Sequence, residues 1–513
     1  MRLENSARNI KAAWLWQLVH IMCQFVTRTV IIKVLTIEYV GLSGLFSNVL
    51  TMLSLAELGI GEAIVFSLYG PIAHGQHRVI SSIMKFYQKV YVFVGIFIAV
   101  AGFLLTPYLD FFIKDMPDNI PNLQLIYLLF VANSAISYFF SYKGTFITAN
   151  QNNHIVVINN GLTEVAMVIV QIITLIITKN YILYLVIGIV FVLLRNIIIT
   201  IIADKKYPYL KEKSVDKIPK DIFDSIKKNT GAMVLHKVGT IVVFATDNLI
   251  ISKFVGLVSV GLYTNYHVIT NAVTVFINKF FNAMAASVGN LAATADIEKQ
   301  ERVFNSMNFL NFWLYVFSCC CLFNLLNPFI EVIWLGEDYL FSMPIVLLIV
   351  VKIYITGMRT SVQTFKNAKG LYWQNKLMPL GESIINLVAS VVMVYYYGVA
   401  GVLLGTIISS ILTCVWIEPR VLFKHGFNKS PIGYYARYIK YLVVFAVIMI
   451  ITYKCNSLIV SDNLMTFVVK CLISVSVPNL LMIIFYHKSE EFKYVKGAVL
   501  KILKLTDKKG QNE

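Results

Sequence analysis

Long apolar runs separated by short polar gaps make up nearly the whole chain. A helix needs about 20 mostly apolar residues to cross the hydrocarbon core of a bilayer. About fourteen such runs can be read, near 12–35, 40–69, 86–106, 122–148, 155–178, 181–203, 229–252, 259–288, 305–326, 340–364, 379–397, 399–418, 438–453 and 464–486. The run at 438–453 is short and 379–418 can be divided differently, which leaves twelve as the alternative count. The pattern predicts an all-α integral membrane protein.

The polar gaps give the orientation. Lys and Arg concentrate in alternate loops, as the positive-inside rule requires of cytoplasmic segments. The intervening loops hold only Lys33, Lys114, Lys179, Lys253 and Lys454, and are marked instead by Asp110, Asp115, Asp118, Glu331, Glu337 and Asp338. Both termini are therefore expected on the cytoplasmic side. The longest cytoplasmic loop, 204–228, is lysine-rich and contains Pro208 and Pro219. It divides an N-terminal six-helix lobe (1–203) from a second lobe (229–419), followed by two accessory helices (420–487) and a cytoplasmic tail (488–513).

The two lobes share a repeat. Phe25-Val26-Thr27-Arg28-Thr29-Val30-Ile31-Ile32 aligns with Phe244-Ala245-Thr246-Asp247-Asn248-Leu249-Ile250-Ile251, then Val40-Gly41-Leu42 with Val255-Gly256-Leu257, then Gly44-Leu45-Phe46-Ser47-Asn48 with Gly261-Leu262-Tyr263-Thr264-Asn265. Six spans against six, both starting inside, describe parallel repeats related by an axis along the membrane normal. Two such bundles are expected to enclose a cleft and to work by alternating access.

Composition agrees and narrows the function. Of 513 residues, 58% are hydrophobic and 14% charged, against about 25% charged in ordinary soluble domains. The net charge of +17 sits in the loops, not on one domain or arm, so no nucleic-acid partner is expected. Seven cysteines show no C-x-x-C spacing, and most lie in apolar runs as small hydrophobes; neither a metal site nor a disulfide framework is indicated. The first apolar run carries no cleavage pattern and reads as a span, preceded by a basic amphipathic lead-in with Trp14 and Trp16 at the interface. No Walker motif is present, and no outside loop is long enough for the catalytic domain of a membrane glycosyltransferase or polymerase. A transporter is expected rather than an enzyme.

Polar residues recur at helical spacing inside the runs. His267, Asn271, Thr274, Asn278 and Asn282 fall on one face of the eighth, and Lys352, Thr356, Arg359 and Gln363 on one face of the tenth. Gln17, Gln24 and Arg28 line up in the first, and Ser43, Ser47, Thr51 and Ser54 in the second. Serines and threonines of this kind commonly join packed helices by hydrogen bonds. Cations within a span need water, a carboxylate or an anionic ligand. The others are Arg195, Lys237 and Lys279; the carboxylates are Glu57, Glu62, Glu164, Asp247 and Glu382. Arg28 and Asp247, at equivalent repeat positions, are expected to pair. The remaining cations predict a basic cavity for an anionic head group, with guanidinium suited to bidentate phosphate contact. Candidate substrate-binding residues are Arg28, Lys237, Lys279, Lys352, Arg359, His267, Asn271 and Asn278. Glu57, Glu164 and Asp247 are candidates for coupling to a proton or sodium gradient, and no other cofactor is expected. Ala56-Glu57-Leu58-Gly59-Ile60-Gly61-Glu62 reads either as a flexible element carrying a protonatable group or as a packing notch.

Glu38-Tyr39-Val40-Gly41-Leu42 with Leu55-Ala56-Glu57-Leu58-Gly59-Ile60-Gly61, and Thr246-Asp247-Asn248-Leu249-Ile250-Ile251 with Val255-Gly256 and Gly261-Leu262-Tyr263, resemble bacterial polysaccharide transporters. These are the Wzx-type lipid-linked oligosaccharide flippases of the multidrug/oligosaccharidyl-lipid/polysaccharide superfamily. The resemblance covers most of the chain. It implies flipping of an undecaprenyl-diphosphate-linked repeat unit across the bacterial cytoplasmic membrane for capsule, exopolysaccharide or O-antigen-type assembly, with membrane lipid, a polysaccharide polymerase and assembly proteins as partners. It carries a cationic cavity over to Arg28 and to the cations of runs seven, eight and ten. The alternative is an ion-coupled multidrug or small-molecule antiporter of the same superfamily, which would favour carboxylates and aromatics over cations.

Overall fold

Backbone groups in lipid must satisfy their hydrogen bonds within the segment, so apolar runs of this length fold as helices. The computed structural model describes residues 2–57, 59–114, 120–212, 217–371, 373–459, 463–497 and 500; the side chains of 2–11, 56, 229, 231–244 and 286 lie outside that description. The helices are α1 (Arg2–Val34), α2 (Ile37–Leu53), α3 (Ile60–Ala73), α4 (His77–Leu105), α5 (Leu109–Phe112), α6 (Leu123–Ala149), α7 (Asn153–Thr178), α8 (Tyr181–Lys206) and α9 (Lys220–Phe254). There follow α10 (Leu257–Thr294), α11 (Ile297–Pro328), α12 (Met343–Met358), α13 (Thr360–Ala368), α14 (Met378–Tyr397), α15 (Val399–Leu412), α16 (Cys414–Val421), α17 (Ile432–Ser457) and α18 (Leu464–Tyr486). No strand forms among the described residues.

Twelve helices are long and apolar enough to cross a membrane among the described residues. The run at 40–69 is instead two shorter helices, α2 and α3, and the run at 229–252 lies within α9. Twelve of the fourteen expected spans are thus each matched by one long apolar helix, and the count of fourteen is approximately consistent with the fold. The chain is a multi-pass membrane protein.

Helix ends follow local chemistry. Asn180 caps α8 by accepting from the Leu183 amide at 3.1 Å, and Asp296 caps α11 by accepting from Lys299 N at 2.7 Å. Asn463 and Thr466 form a reciprocal capping box at α18. Between α2 and α3 the chain makes a short 3₁₀ turn, Ser54–Glu57, and then passes through Gly59 at φ 72°. That left-handed conformation is open to glycine without strain.

The chain divides into two compact units, Met1–Val268 and Ile269–Glu513. Large apolar side chains point outward, for example Phe93, Phe97, Val100 and Phe103 on α4 and Ile169, Ile173 and Ile177 on α7. That is the arrangement lipid favours. In the first unit Ile64, Leu68, Ile83, Tyr87, Tyr142 and Phe146 form an apolar cluster among α3, α4 and α6. In the second, Phe312 stacks on Tyr441 at 3.9 Å and Tyr354 on Phe445 at 4.1 Å, joining α17 to α11 and α12. Buried polar groups are numerous and small: Asn308, Asn311, Ser361, Asn386, Ser390, Ser409 and Ser410 are each 2% exposed or less.

Candidate functional site

In the first unit the repeat motifs meet one another. A Cβ on Gly41 would lie 2.2 Å from the Leu257 carbonyl oxygen and 3.3 Å from Gly261 N, and one on Gly261 would lie 2.7 Å from the Ile37 carbonyl oxygen. Glycine on both sides lets the backbones of α2 and α10 touch. Around this contact the matched residues cross over. Asn48 Nδ2 on α2 donates to the Ala245 carbonyl of α9 at 3.2 Å. Arg28 Nη1 on α1 donates to Asn265 Oδ1 on α10 at 3.3 Å, and Asn265 is the repeat counterpart of Asn48.

The expected Arg28–Asp247 pair is not formed. Asp247 is 3% exposed and accepts from the Tyr263 hydroxyl at 3.2 Å. Each is met by a residue of α10 instead, Arg28 by Asn265 and Asp247 by Tyr263. Arg28 also lies within electrostatic reach of Tyr181 and Tyr184, whose rings stack at 5.4 Å and 9°.

Two further carboxylates of this unit have specific partners. Glu57 ends the 3₁₀ turn at the α2–α3 break; its Oε1 accepts from Tyr91 OH at 2.5 Å and its Oε2 from Tyr138 OH at 3.3 Å, while Tyr87 OH donates to Tyr91 OH at 3.0 Å. Three tyrosines thus surround one acid at a helix break. Gly61 makes room for them, since a Cβ there would come within 2.6 Å of the Tyr91 hydroxyl. Glu164 Oε1 on α7 lies 2.5 Å from His20 Nδ1 on α1, and His20 Nε2 lies 2.8 Å from Gln24 Nε2. His20 was not singled out in the sequence, although its spacing of one turn from Gln24 was visible.

In the second unit the expected cation Arg359 is enclosed by carboxylates. It occupies the break between α12 and α13 and donates from Nε to Glu418 Oε2 at 3.0 Å, from Nη2 to Glu418 Oε1 at 3.4 Å and from Nη1 to Glu382 Oε1 at 3.1 Å. Lys366 Nζ donates to Glu418 Oε1 at 3.1 Å and Gln363 Nε2 to the same oxygen at 3.2 Å. Ser410 Oγ completes the set on Glu382 at 3.2 Å. Two cations and two anions balance here, as burial of charge demands. Glu418 and Lys366 were missed because each stands near the end of its apolar run, where charge reads as loop.

The polar stripe of α10 is open. His267, Asn271, Asn278 and Asn282 are exposed, and Thr274 is half-buried. Asn278 and Asn282 line a cavity of about 500 Å³ with the polar face of α13. Lys279 and Lys352 are half-buried. Lys237 lies among the side chains outside the described residues.

Helix order and packing of this kind define a class. The chain superposes on the lipid II flippase MurJ in an inward closed conformation with a TM-score of 0.67 at 14% identity, covering 93% of this chain and 98% of the other. It superposes on an inward-facing multidrug resistance MATE family transporter of the MOP superfamily with a TM-score of 0.61 at 13% identity, covering 79% and 94%. For a mutant of the Vibrio cholerae MATE transporter VcmN the values are 0.57, 11%, 84% and 99%. The fold is that of the MOP-superfamily transporters.

The particular family follows from the sequence. The model of the polysaccharide biosynthesis protein family matches residues 6–286, more than half of the chain, and the chain belongs to that family. No curated protein matches it. The resemblance carried by the glycine motifs of residues 38–61 and 246–263 is thereby confirmed at the level of the family.

Proposed function

We propose that this protein is a flippase that moves an undecaprenyl-diphosphate-linked oligosaccharide repeat unit from the inner to the outer leaflet of the bacterial cytoplasmic membrane. Membership in a polysaccharide biosynthesis family on a transporter fold supports a lipid-linked saccharide over a soluble one. The observation that carries the reading is the open stripe of His267, Asn271, Asn278 and Asn282 on a membrane helix. Exposed carboxamides along an otherwise apolar span serve a hydroxyl-rich passenger and would be a liability facing lipid.

Arg28 is the residue assigned to the diphosphate. Its guanidinium is held by one bond to a neutral amide, which leaves its charge for an anion, whereas Arg359 is already neutralised by Glu382 and Glu418. Lys279 and Lys352, in the second unit, are assigned as anion-binding residues of that unit. Coupling to a proton or sodium gradient is assigned to Glu57, Glu164 and Asp247, with the lobes 1–203 and 229–419 alternating in access and both termini cytoplasmic. A polysaccharide polymerase and assembly proteins would receive the product.

Complementation tests this directly. A strain lacking its own flippase accumulates lipid-linked precursor in the inner leaflet, and expression of this chain is expected to relieve that accumulation for at least one defined repeat unit. Failure with every repeat unit offered, together with resistance to cationic drugs, would instead establish an antiporter.

A further inference from the structure

The cavity of about 500 Å³ in the second unit is within the range of small-molecule sites, about 300–1,000 Å³. Its polar lining is Asn278 and Asn282 from α10 and Thr360, Gln363, Thr364 and Asn367 from α13; the rest is two alanines. Not one of these side chains is ionised.

The charged residues of the same segment are turned away. Lys366 donates to Glu418, and Lys369 donates to Gln300 and to the Gly426 carbonyl. The opposite face of α13 is fixed: Ser361 Oγ donates to Asn308 Oδ1 at 2.8 Å, and Phe365 packs edge-on against Phe304 at 5.3 Å. The helix therefore presents residues 360, 363, 364 and 367 to the cavity as a rigid polar face. Gln363 spends its amide N–H on Glu418, which leaves its carbonyl oxygen as an acceptor. Thr364 donates to the Thr360 carbonyl at 2.8 Å and keeps its own oxygen lone pairs.

Carboxamides and hydroxyls offer donors and acceptors side by side, as a sugar hydroxyl requires, since each such group both gives and takes a hydrogen bond. No cation is among the lining residues to balance the charge of a phosphate. We propose that this cavity is a subsite for the uncharged sugar residues of the translocated substrate, recognised by Asn278, Asn282, Gln363 and Asn367. The assignment rests on the flippase reading above.

The test is a binding measurement on the full-length protein in lipid nanodiscs, with two probes. One is the lipid-linked oligosaccharide extracted from cells that accumulate it when the gene for this chain is deleted; the other is undecaprenyl diphosphate without sugar. The wild type is expected to bind the sugar-bearing lipid more tightly. Asn282→Ala combined with Asn367→Ala, both at exposed positions, is expected to weaken that binding about tenfold or more and leave the bare diphosphate lipid unchanged, because two hydrogen-bonding carboxamides are lost. Thr364→Val, which removes a hydroxyl at nearly constant volume, is expected to act in the same direction and serves if the double variant does not fold. Equal loss for both probes, or a variant that keeps the preference for the sugar-bearing lipid, overturns the subsite alone. Wild-type protein that binds neither probe overturns the flippase reading and the subsite with it.

Discussion

Arg359 and Glu418 hold each other through two hydrogen bonds, Nε to Oε2 at 3.0 Å and Nη2 to Oε1 at 3.4 Å, at the point where one membrane helix breaks into α12 and α13. The Glu418 side chain is 2% exposed and also receives Lys366, itself 2% exposed. Glu382, by contrast, takes one bond from Arg359 and one from Ser410.

Removing one partner of a buried ion pair costs about 3–5 kcal/mol, because the other charge is left uncompensated. Glu418→Gln withdraws the anion from two cations at once. It is therefore expected to lower the unfolding temperature in detergent more than Glu382→Gln does. Equal shifts for the two variants would show that the network is relayed evenly through both carboxylates.

The α2–α10 crossing gives a second, purely steric prediction. A methyl group at Gly41 would sit 2.2 Å from a backbone oxygen, whereas at Gly44 its nearest neighbour is the Thr264 side chain at 3.0 Å. Backbone cannot yield as a side chain can, and overpacking typically costs about 1–3 kcal/mol. Gly41→Ala is expected to reduce the yield of folded protein and its unfolding temperature, with Gly44→Ala close to wild type.

Much of the architecture was legible because lipid imposes one rule on every span. Apolar length alone located α1, α6, α7, α8 and α18, and the periodicity of residues 267–282 placed an open polar face on α10. The α2–α3 break was visible only as Ala56–Glu62, where two glycines between two acids allow a bend without requiring one. Partners were harder to read than elements. Arg28 and Asp247 look matched because their charges are opposite and their repeat positions equal, yet Arg28 bonds Asn265 and Asp247 bonds Tyr263. Which acid meets which cation depends on crossing geometry, and no spacing within one helix encodes that. Hence Arg359 read as a free cavity cation, while the neutralising Glu418 lies 59 residues away.

Glu57 supplies a functional prediction. Its carboxylate oxygens accept from Tyr91 at 2.5 Å and Tyr138 at 3.3 Å, contacts that a carboxamide oxygen can partly keep. Glu57→Gln is expected to retain its unfolding temperature to within a few degrees. In reconstituted vesicles its translocation should fall by about tenfold or more and stop responding to an imposed proton gradient, as removal of a coupling group predicts. Tyr91→Phe should destabilise more than Tyr138→Phe, by about 1 kcal/mol, because its hydrogen bond to Glu57 is the shorter of the two. If Glu57→Gln transports at the wild-type rate with an intact gradient response, the acid is a packing element of the bend.

Arg28 separates charge from geometry at the assigned diphosphate site. Asn265, which is 1% exposed, accepts one of its N–H groups at 3.3 Å and leaves the rest of the guanidinium fork for a ligand. A lysine keeps the charge but cannot meet a phosphate in bidentate fashion. Arg28→Lys is therefore expected to fold, to weaken binding of undecaprenyl diphosphate by about tenfold, and to reduce translocation in parallel. Arg28→Gln should abolish both. Asn265→Ala should have a smaller effect on binding, since the amide orients the guanidinium without contributing charge. Binding of the bare diphosphate lipid by Arg28→Gln at wild-type affinity would move the anion site away from α1, to the cations of α10 and α12.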